Sequence, residues 1–237
     1  MRKFFYLNVN GFYGTREKAR GKFKAGLDDN CCVENAEGIC KQIMDDRHSK
    51  YDVIFFSEFA PNTPSGKWVS NYLDQKGYKL VLPNAYDYVE NGYYSIVVAY
   101  VRKDLKIEKS KASPKDWLTW CELSIDDKNI VGIHATNIAF LNDIKETVKG
   151  RIYKEKALLV LGDTNVTEKS EENRKVLMSE IMECIGTEVL DEDRKNTFRG
   201  IRKPDRVFSN VEDLKLSVID EFFINELSDH DALSITL

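Results

Sequence analysis

Hydrophobic residues in this chain fall in short runs that are separated by polar or glycine-containing stretches. The clearest run is residues 158–161, where Leu-Leu-Val-Leu is followed at once by glycine. Comparable runs cover residues 4–7, 53–56, 96–101 and 130–133. Four or more consecutive apolar residues bounded by turn formers are typical of a strand that is buried on both faces. The chain is therefore predicted to build its core from several such strands.

Helical periodicity recurs between these runs. Apolar positions that repeat at i, i+3 and i+4 indicate amphipathic helices packed against a sheet. Weaker alternating patterns predict further strands, including a hairpin that turns across residues 126–128. The predicted helices cover residues 34–48, 67–75, 142–156 and 171–185, and the further strands cover residues 78–82, 106–111, 120–125, 129–136, 203–208, 214–224 and 232–237.

Length and composition predict one globular domain over residues 1–237. Hydrophobic residues make up 42% of the chain and charged residues 31%, which is ordinary for a globular protein. The formal net charge of −4 excludes a strong overall attraction to nucleic acid, but it leaves room for a local basic patch.

One basic segment stands out at residues 14–29. Its three glycines and its polar residues predict a loop beside the end of the first strand. The cations of this loop form either a solvated surface or a contact for phosphates. They are Arg16, Lys18, Arg20, Lys22 and Lys24.

Cysteine usage favours a reducing compartment. The chain has five cysteines, an odd number, and it has no C-x-x-C pair. This pattern argues against a disulfide framework or a zinc site. No apolar stretch reaches the length of a membrane span or of a signal-peptide core. We therefore expect a cytoplasmic, monomeric protein without a membrane span.

Polar side chains of the kinds used in catalysis follow the buried runs. Asp163 and Asn165 come directly after the Leu-Leu-Val-Leu-Gly run, and residues two apart in an extended segment point to the same side. Each such group alone is equally well explained by a strand-ending turn. Together they predict a site where the strand ends converge. The full set is Asn8, Asn10, Glu58, His134, Asp163, Asn165, Asp205, Asp229 and His230.

The order of these groups resembles the endonuclease/exonuclease/phosphatase superfamily of divalent-metal phosphoesterases. The resemblance covers nearly the whole chain, from Asn8 to the C-terminus. The G-D-x-N and S-D-H motifs carry most of its weight, and Ser57 departs from it because the second motif usually has Gln at that position. The matching segments are Asn8-Val9-Asn10-Gly11, Phe55-Phe56-Ser57-Glu58, Ile133-His134-Ala135-Thr136-Asn137, Gly162-Asp163-Thr164-Asn165, Pro204-Asp205-Arg206-Val207-Phe208 and Ser228-Asp229-His230.

The resemblance implies both a fold and a site. The fold is α/β (α+β), a four-layer αββα sandwich of two mixed β-sheets flanked by helices. The cofactor is Mg²⁺ or Mn²⁺, with Glu58 as the main ligand and with Asn10 and Asp229 assisting. The implied catalytic residues are His134, Asp163, Asn165, Asp205 and His230, and the implied contacts to the substrate phosphate are Asn8, Asn137, Asn165 and His134.

The implied chemistry is attack of an activated water on phosphorus, assisted by a metal ion and by histidine. Asp163 would orient or deprotonate the water, His230 would contact the scissile phosphate, and Asp205 would fix the tautomer of His230. Which group acts as the general base is left open.

Three functions are compatible with this site. The first is a metal-dependent endo- or exonuclease that acts on DNA; specificity for abasic sites is not predicted, because the loop before the last motif offers only Phe198 and Arg199. The second is a phosphatase or phosphodiesterase on a small or lipid phosphate. The third is a catalytically idle binding module, which the filled site positions disfavour. The salt dependence of binding separates a nuclease groove from a small-molecule site.

Overall fold

A computed structural model of the chain describes residues 1–14, 30–45, 50–81, 96–112, 119–149, 157–167, 170–191, 196–198 and 204–237. Within these residues the chain forms twelve strands, five α-helices and a 3-10 turn at Asn10–Phe12. The strands β1–β12 are Lys3–Asn8, Val53–Phe59, Tyr78–Val81, Ile96–Arg102, Lys109–Ala112, Trp120–Ile125, Lys128–His134, Ala157–Asp163, Thr187–Val189, Asp205–Ser209, Lys215–Ile219 and Ala232–Thr236. The helices α1–α5 are Asn30–Ile43, Pro64–Gln75, Ile138–Lys149, Glu172–Ile185 and Glu221–Ile224.

The strands form two six-stranded sheets. The first has the order β11-β12-β1-β2-β4-β3, and the second has the order β5-β6-β7-β8-β10-β9. Each sheet contains one parallel pair, β1 with β2 and β7 with β8, while its other neighbours are antiparallel. Both sheets are therefore mixed.

Alternation along β1 shows how the layers are assembled. Phe5 and Leu7 pack against α1 and α2, whereas Phe4 and Tyr6 point between the two sheets. Successive side chains of a strand face opposite sides of its sheet, so a strand covered on both faces reads as a continuous apolar run. Each fully buried side chain of this size contributes roughly 1.5–3 kcal/mol of transfer free energy.

A third cluster of apolar side chains lies under α3 and α4 on the outer face of the second sheet. The molecule thus consists of helices, sheet, sheet and helices. This confirms the four-layer αββα sandwich of two mixed sheets. The prediction of a single domain over residues 1–237 stays a prediction.

Most predicted elements are present, with shifted ends. The hairpin between β6 and β7 turns through Asp126 and Asp127, whose φ values of 50° and 59° match a primed turn. The prediction for residues 214–224 was wrong in its last part, because Glu221–Ile224 is a helical turn. Strand Thr187–Val189 was not predicted, since three residues carry too little periodicity.

Several predictions fall partly outside the described residues, including the strands predicted over 78–82 and 203–208, whose residues 82 and 203 lie outside. Residues 15–29, which hold the cations of the basic segment, lie outside, and so do the C-terminal ends of the helices predicted over 34–48 and 142–156. The five cysteines are all described, and all are free. None of the described helices is long and apolar enough to cross a membrane.

Candidate active site

The ends of β1, β2, β7, β8 and β10 meet between the two sheets. In the second sheet, His134 pairs with Asp163 and Asp163 pairs with Asp205. The three residues therefore lie side by side on the neighbouring strands β7, β8 and β10. In the first sheet, Asn8 pairs with Ser57, the residue before Glu58. The segment that precedes β12 brings Asp229 and His230 to the same edge, because Ser228 Oγ donates to Asn8 O at 2.7 Å.

Two groups of potential ligand atoms form at this edge, and Asp163 belongs to both. Glu58, His134 and Asp163 make the first group, which we call the Glu58 cluster. Asp163, Asp205 and His230 make the second, which we call the His230 cluster. Within each group, one ligand atom of each residue lies within 4.8 Å of the others. Asp163 is therefore the shared centre of the site.

Glu58 is aimed into the site by an irregularity in β2. The pairing of β2 with β4 shifts register between Phe56 and Phe59, and Glu58 has a φ of 52°. Bulges redirect a side chain, and a left-handed conformation is uncommon for a residue with a Cβ. Asn10 and Asn165 are also left-handed, with φ values of 45° and 50°. Strained backbone of this kind collects at functional sites.

Gly162 explains the first position of the G-D-x-N motif. Its φ is 144°, and a Cβ at this position would lie 2.1 Å from the carbonyl oxygen of Ile133. Only glycine allows this close approach without displacing β7. The glycine thus lets the end of β8 turn directly beside the strand that carries His134.

Asn8 joins the two clusters through its carboxamide. Nδ2 donates to Glu58 Oε1 and to Asp163 Oδ2, both at 3.1 Å, while Oδ1 accepts from the Asn10 backbone N–H at 3.0 Å. The side chain is fully buried. Both amide protons are used, so the carboxamide fixes the relative positions of the two carboxylates. Its predicted contact with a substrate phosphate stays a prediction.

The Glu58 cluster stabilises negative charge. Burial alone would raise the pKa of Glu58, but the neighbouring His134 and the hydrogen bond from Asn8 outweigh it and lower the pKa to about 2. His134 Nε2 lies 3.3 Å from Glu58 Oε1. Burial alone would lower the pKa of His134, but the Glu58 and Asp163 carboxylates outweigh burial and raise the pKa. Among the described residues His134 Nε2 makes no aligned hydrogen bond, which leaves it available to a substrate oxygen.

The His230 cluster holds a proton. His230 Nδ1 lies 2.8 Å from Asp205 Oδ2, and both side chains are buried. Burial lowers the pKa of His230, but the charge and hydrogen bond of Asp205, with further charge from Asp163 and Asp229, raise it to about 10. The imidazole of the substrate-free protein is therefore an imidazolium at neutral pH, with Nδ1 donating to Asp205.

Asp163 lies between the two histidines. Its Oδ2 is 3.8 Å from His134 Nε2 and 4.0 Å from His230 Nε2, and its Oδ1 accepts from the Asn165 backbone N–H at 2.7 Å. Burial and the nearby charge of Asp205 raise the pKa of Asp163. A buried carboxylate with a raised pKa is suited to accept a proton.

Most predicted site residues meet at this edge. Glu58, Asp163, Asp205 and the two histidines are in mutual contact range through the two clusters, and Asn10 is tied to them through Asn8. Asn137 is placed differently. It is exposed, and its Oδ1 accepts from the N–H groups of Ala139 and Phe140 at 2.9 and 3.2 Å at the start of α3. Its predicted phosphate contact is not tested by these bonds.

Sequence reasoning assigned no supporting role to several residues that hold the site in place. Ser228 Oγ accepts from the His230 backbone N–H at 3.1 Å, and Thr197 Oγ1 accepts from that of Asp205 at 3.2 Å. The Phe198 ring packs edge-on against His230, with the ring centroids 4.8 Å apart. Tyr6 reaches Asp163 from the other sheet. Ser228 belongs to the S-D-H motif, and Tyr6 lies two residues before Asn8 and shares its face of β1.

The donor set fits a hard divalent cation. Glu58 is ionised, and its side chain is 27% exposed against 2% for Asp163. Carboxylate and carboxamide oxygens are the ligands that Mg²⁺ and Mn²⁺ prefer, and Mg²⁺ needs only one or two carboxylates from the protein. Glu58 can supply such an oxygen at the part-exposed side of the site. Asp229 is buried and lies outside the Glu58 cluster, and the predicted assistance of Asn10 and Asp229 stays a prediction.

No protein-family model matches the sequence, and no curated protein is significantly similar to it. Solved structures do match over the whole chain. The 3′ phosphatase NExo from Neisseria, bound to a product DNA hairpin, has a TM-score of 0.71 at 12% identity, covering 100% of this chain and 99% of that one. An AP endonuclease from Archaeoglobus fulgidus has a TM-score of 0.68 at 14% identity, with 100% and 99% covered.

A third structure carries the superfamily name. An endonuclease/exonuclease/phosphatase family protein from Leptotrichia buccalis has a TM-score of 0.61 at 17% identity and covers 100% of this chain and 99% of that one. Identities this low establish a shared fold and leave the chemistry to be argued from the site. The chain has the fold of the endonuclease/exonuclease/phosphatase superfamily, as its motifs predicted.

Proposed function

We propose that this protein is a divalent-metal-dependent phosphoesterase that hydrolyses phosphodiester bonds in DNA. One observation carries the proposal. A buried carboxylate, Asp163, lies between an ionised, part-exposed Glu58 and an Asp205–His230 pair that holds a proton. This arrangement combines a cation site, a base and a charged donor within a few ångströms, which is what hydrolysis of an anionic ester requires.

Each residue has a distinct role in the proposed reaction. Glu58, Asn10 and Asp229 would hold Mg²⁺ or Mn²⁺, which when bound supplies Lewis acidity to a phosphoryl oxygen. Asp163 orients the attacking water and accepts its proton. Asn165, held against Asp163 by a backbone hydrogen bond of 2.7 Å, contacts the water or a phosphate oxygen.

The two histidines act on the phosphate. His230 is protonated at neutral pH, so it stabilises the negative charge that builds on the phosphoryl oxygens rather than serving as the base. Asp205 keeps the ring oriented through the bond to Nδ1. His134 contacts a second phosphate oxygen or protonates the leaving group. This assigns the base, which the sequence left open, to Asp163.

DNA is the substrate class best supported by the comparisons. One similar structure is a 3′ phosphatase bound to a DNA hairpin, and another is an AP endonuclease. The first of these also makes removal of a 3′-terminal phosphate from DNA a second candidate activity. Small or lipid phosphates are the competing substrate class.

A substrate panel tests the proposal. Plasmid, linear duplex, abasic duplex, a 3′-phosphorylated duplex, RNA and a phosphoinositide are incubated with Mg²⁺, Mn²⁺ or a chelator. We expect metal-dependent cleavage of DNA that is lost in Asp163→Ala and His230→Ala but kept in Asp104→Ala, a control on an exposed carboxylate.

Three outcomes contradict the proposal in different ways. Phosphate release from the phosphoinositide alone would assign the site to small or lipid esters. Turnover that survives Asp163→Ala would remove Asp163 from the mechanism. Binding of nucleic acid without turnover of any substrate would identify an idle binding module.

A further inference from the structure

Tyr6 links the two sheets beneath the candidate active site. It belongs to β1 of the first sheet, it is fully buried, and its hydroxyl reaches β7 and β8 of the second. Asp163, the centre of the site, is one of the residues that it contacts. The hydroxyl itself takes no part in the proposed reaction.

Three hydrogen bonds converge on Tyr6 Oη. The Asp163 backbone N–H donates to it at 2.8 Å, Oη donates to the Ile133 carbonyl at 3.2 Å, and Ser57 Oγ lies 2.6 Å away. A phenol hydroxyl has one proton to donate and can accept two hydrogen bonds. When Tyr6 Oη donates its proton to Ile133 O, it accepts hydrogen bonds from the Asp163 N–H and from the Ser57 hydroxyl. The one donor position and both acceptor positions of the phenol are then used.

The hydroxyl fixes one side of the Asp163 backbone, and β7 fixes the other. The Asp163 carbonyl accepts from the Ala135 N–H at 2.8 Å. Ile133, the acceptor of Tyr6, and Ala135 flank His134, which pairs with Asp163 in the parallel register. Tyr6 Oη therefore bridges two backbone groups of neighbouring strands at the point where Gly162 brings β8 against β7. The bridge sets the position from which the Asp163 carboxylate leaves the strand.

Ser57 completes the arrangement at the position where the resembling motif usually has Gln. It is fully buried and directly precedes Glu58. Its hydroxyl bonds to Tyr6, so the residue before the cation-binding carboxylate and the backbone of the proposed base are connected through one phenol oxygen. The distance between the two halves of the site thus depends on this oxygen as well as on Asn8.

We propose that Tyr6, supported by Ser57, is a positioning residue that holds Asp163 in register with the cation site and the substrate phosphate. The proposal rests on the proposed function, because it assigns Asp163 a catalytic task. A small misplacement of a catalytic group lowers the rate of the chemical step without a matching loss of substrate binding.

Tyr6→Phe tests the proposal, with Tyr78→Phe as the matched control. Tyr78 is also a buried tyrosine of the first sheet, its hydroxyl donates to Tyr51 O at 2.7 Å, and it belongs to neither the Glu58 cluster nor the His230 cluster. We expect kcat on DNA to fall about 10- to 100-fold in Tyr6→Phe. KM should stay within about twofold, and Tyr78→Phe should match the wild type in both constants.

Amide hydrogen exchange at Asp163 gives a readout that needs no turnover. We expect its N–H to exchange faster in Tyr6→Phe than in the wild type, while the amide of Val131, elsewhere in β7, is unchanged. If the wild type cleaves no substrate, the proposed function fails, and the exchange measurement still decides whether Tyr6 holds Asp163. Ser57→Ala retains the phenol. We expect it to lower kcat and to speed exchange of the Asp163 N–H, both by less than Tyr6→Phe does. This second variant keeps the test valid if Tyr6→Phe does not fold.

Two results would overturn the inference. The first is a kcat in Tyr6→Phe that equals that of Tyr78→Phe, or a loss that lies in KM instead. The second is unchanged exchange at Asp163 in Tyr6→Phe and in Ser57→Ala.

Discussion

The Glu58 and His230 clusters are built from the same residue types, and yet they hold charge in opposite ways. Each pairs a carboxylate with a histidine and shares Asp163. In the first, the carboxylate side chain is 27% exposed, and the histidine lies 3.3 Å away without an aligned bond. In the second, the carboxylate is fully buried and bonds to the histidine at 2.8 Å.

The difference shows how exposure and alignment assign roles to equivalent groups. Glu58, with a pKa lowered to about 2, is an anion open to a cation. His230, with a pKa raised to about 10, is a cation whose partner Asp205 is sealed away from solvent. The part-exposed Glu58 carboxylate is suited to bind a metal ion, and the buried Asp205 carboxylate is suited to orient the imidazole of His230.

Removing the shared residue should have the largest effect. Asp163→Asn keeps the shape but loses the base, so we expect kcat to fall about 10²- to 10⁴-fold. Burial raises the pKa of Asp163, so its charge opposes folding. The Asn carboxamide can accept only one of the two hydrogen bonds that Asn8 and Asn165 donate to the carboxylate, so the two effects oppose each other and the melting temperature at pH 7 should change little. Steady-state kinetics and thermal melting check both. A lower melting temperature with retained activity would make Asp163 a structural residue.

Breaking the His230 cluster alone should cost less. His230→Gln keeps a hydrogen-bond donor but removes the positive charge, and we expect kcat to fall about 10²- to 10³-fold. Affinity for the cation should not change, because this cluster is not assigned to hold it. Activity measured over a range of Mn²⁺ concentrations separates the two effects. A rate restored by high Mn²⁺ would argue that His230 acts through the metal.

The pH dependence of stability reports the same cluster. The metal-free folded protein keeps on His230 a proton that the unfolded chain releases near the ordinary pKa of 6.5. The resulting stabilisation is complete below that pH and is lost as the pH rises toward about 10. We expect the melting temperature in chelator to fall across this interval, and to fall less steeply in Asp205→Asn. Parallel curves for the two proteins would contradict the assignment of the proton.

A small effect is expected away from both clusters. Asn137 caps α3, and loss of a cap costs about 1 kcal/mol of stability. Asn137→Ala should lower the free energy of unfolding by that amount, and Asn137→Ser should restore most of it. If Asn137 contacts the substrate phosphate, as its motif predicts, KM will rise in both variants. Denaturant unfolding and KM measured together distinguish the two roles.

The sequence predicted the buried strands and the polar groups at their ends, because alternation and apolar runs are local properties. It could not predict the bulge that aims Glu58, since a register shift depends on the partner strand β4. It also missed Tyr6. The hydrogen bond between the Asp163 N–H and the Tyr6 hydroxyl joins residues that are 157 positions apart and lie in different sheets. A tyrosine inside an apolar run is indistinguishable, from sequence alone, from an ordinary core residue. The cap at Asn137 was hidden by its match to a motif.

In the proposed site, Glu58 is the main ligand of the divalent cation and His230 is not a ligand. Calorimetric titration of Mn²⁺ into the wild type, Glu58→Gln and His230→Gln tests this assignment directly. We expect Mn²⁺ binding to weaken at least about tenfold in Glu58→Gln and to be unchanged in His230→Gln. Equal losses in both variants, or no loss in Glu58→Gln, would contradict the division of the site into two halves.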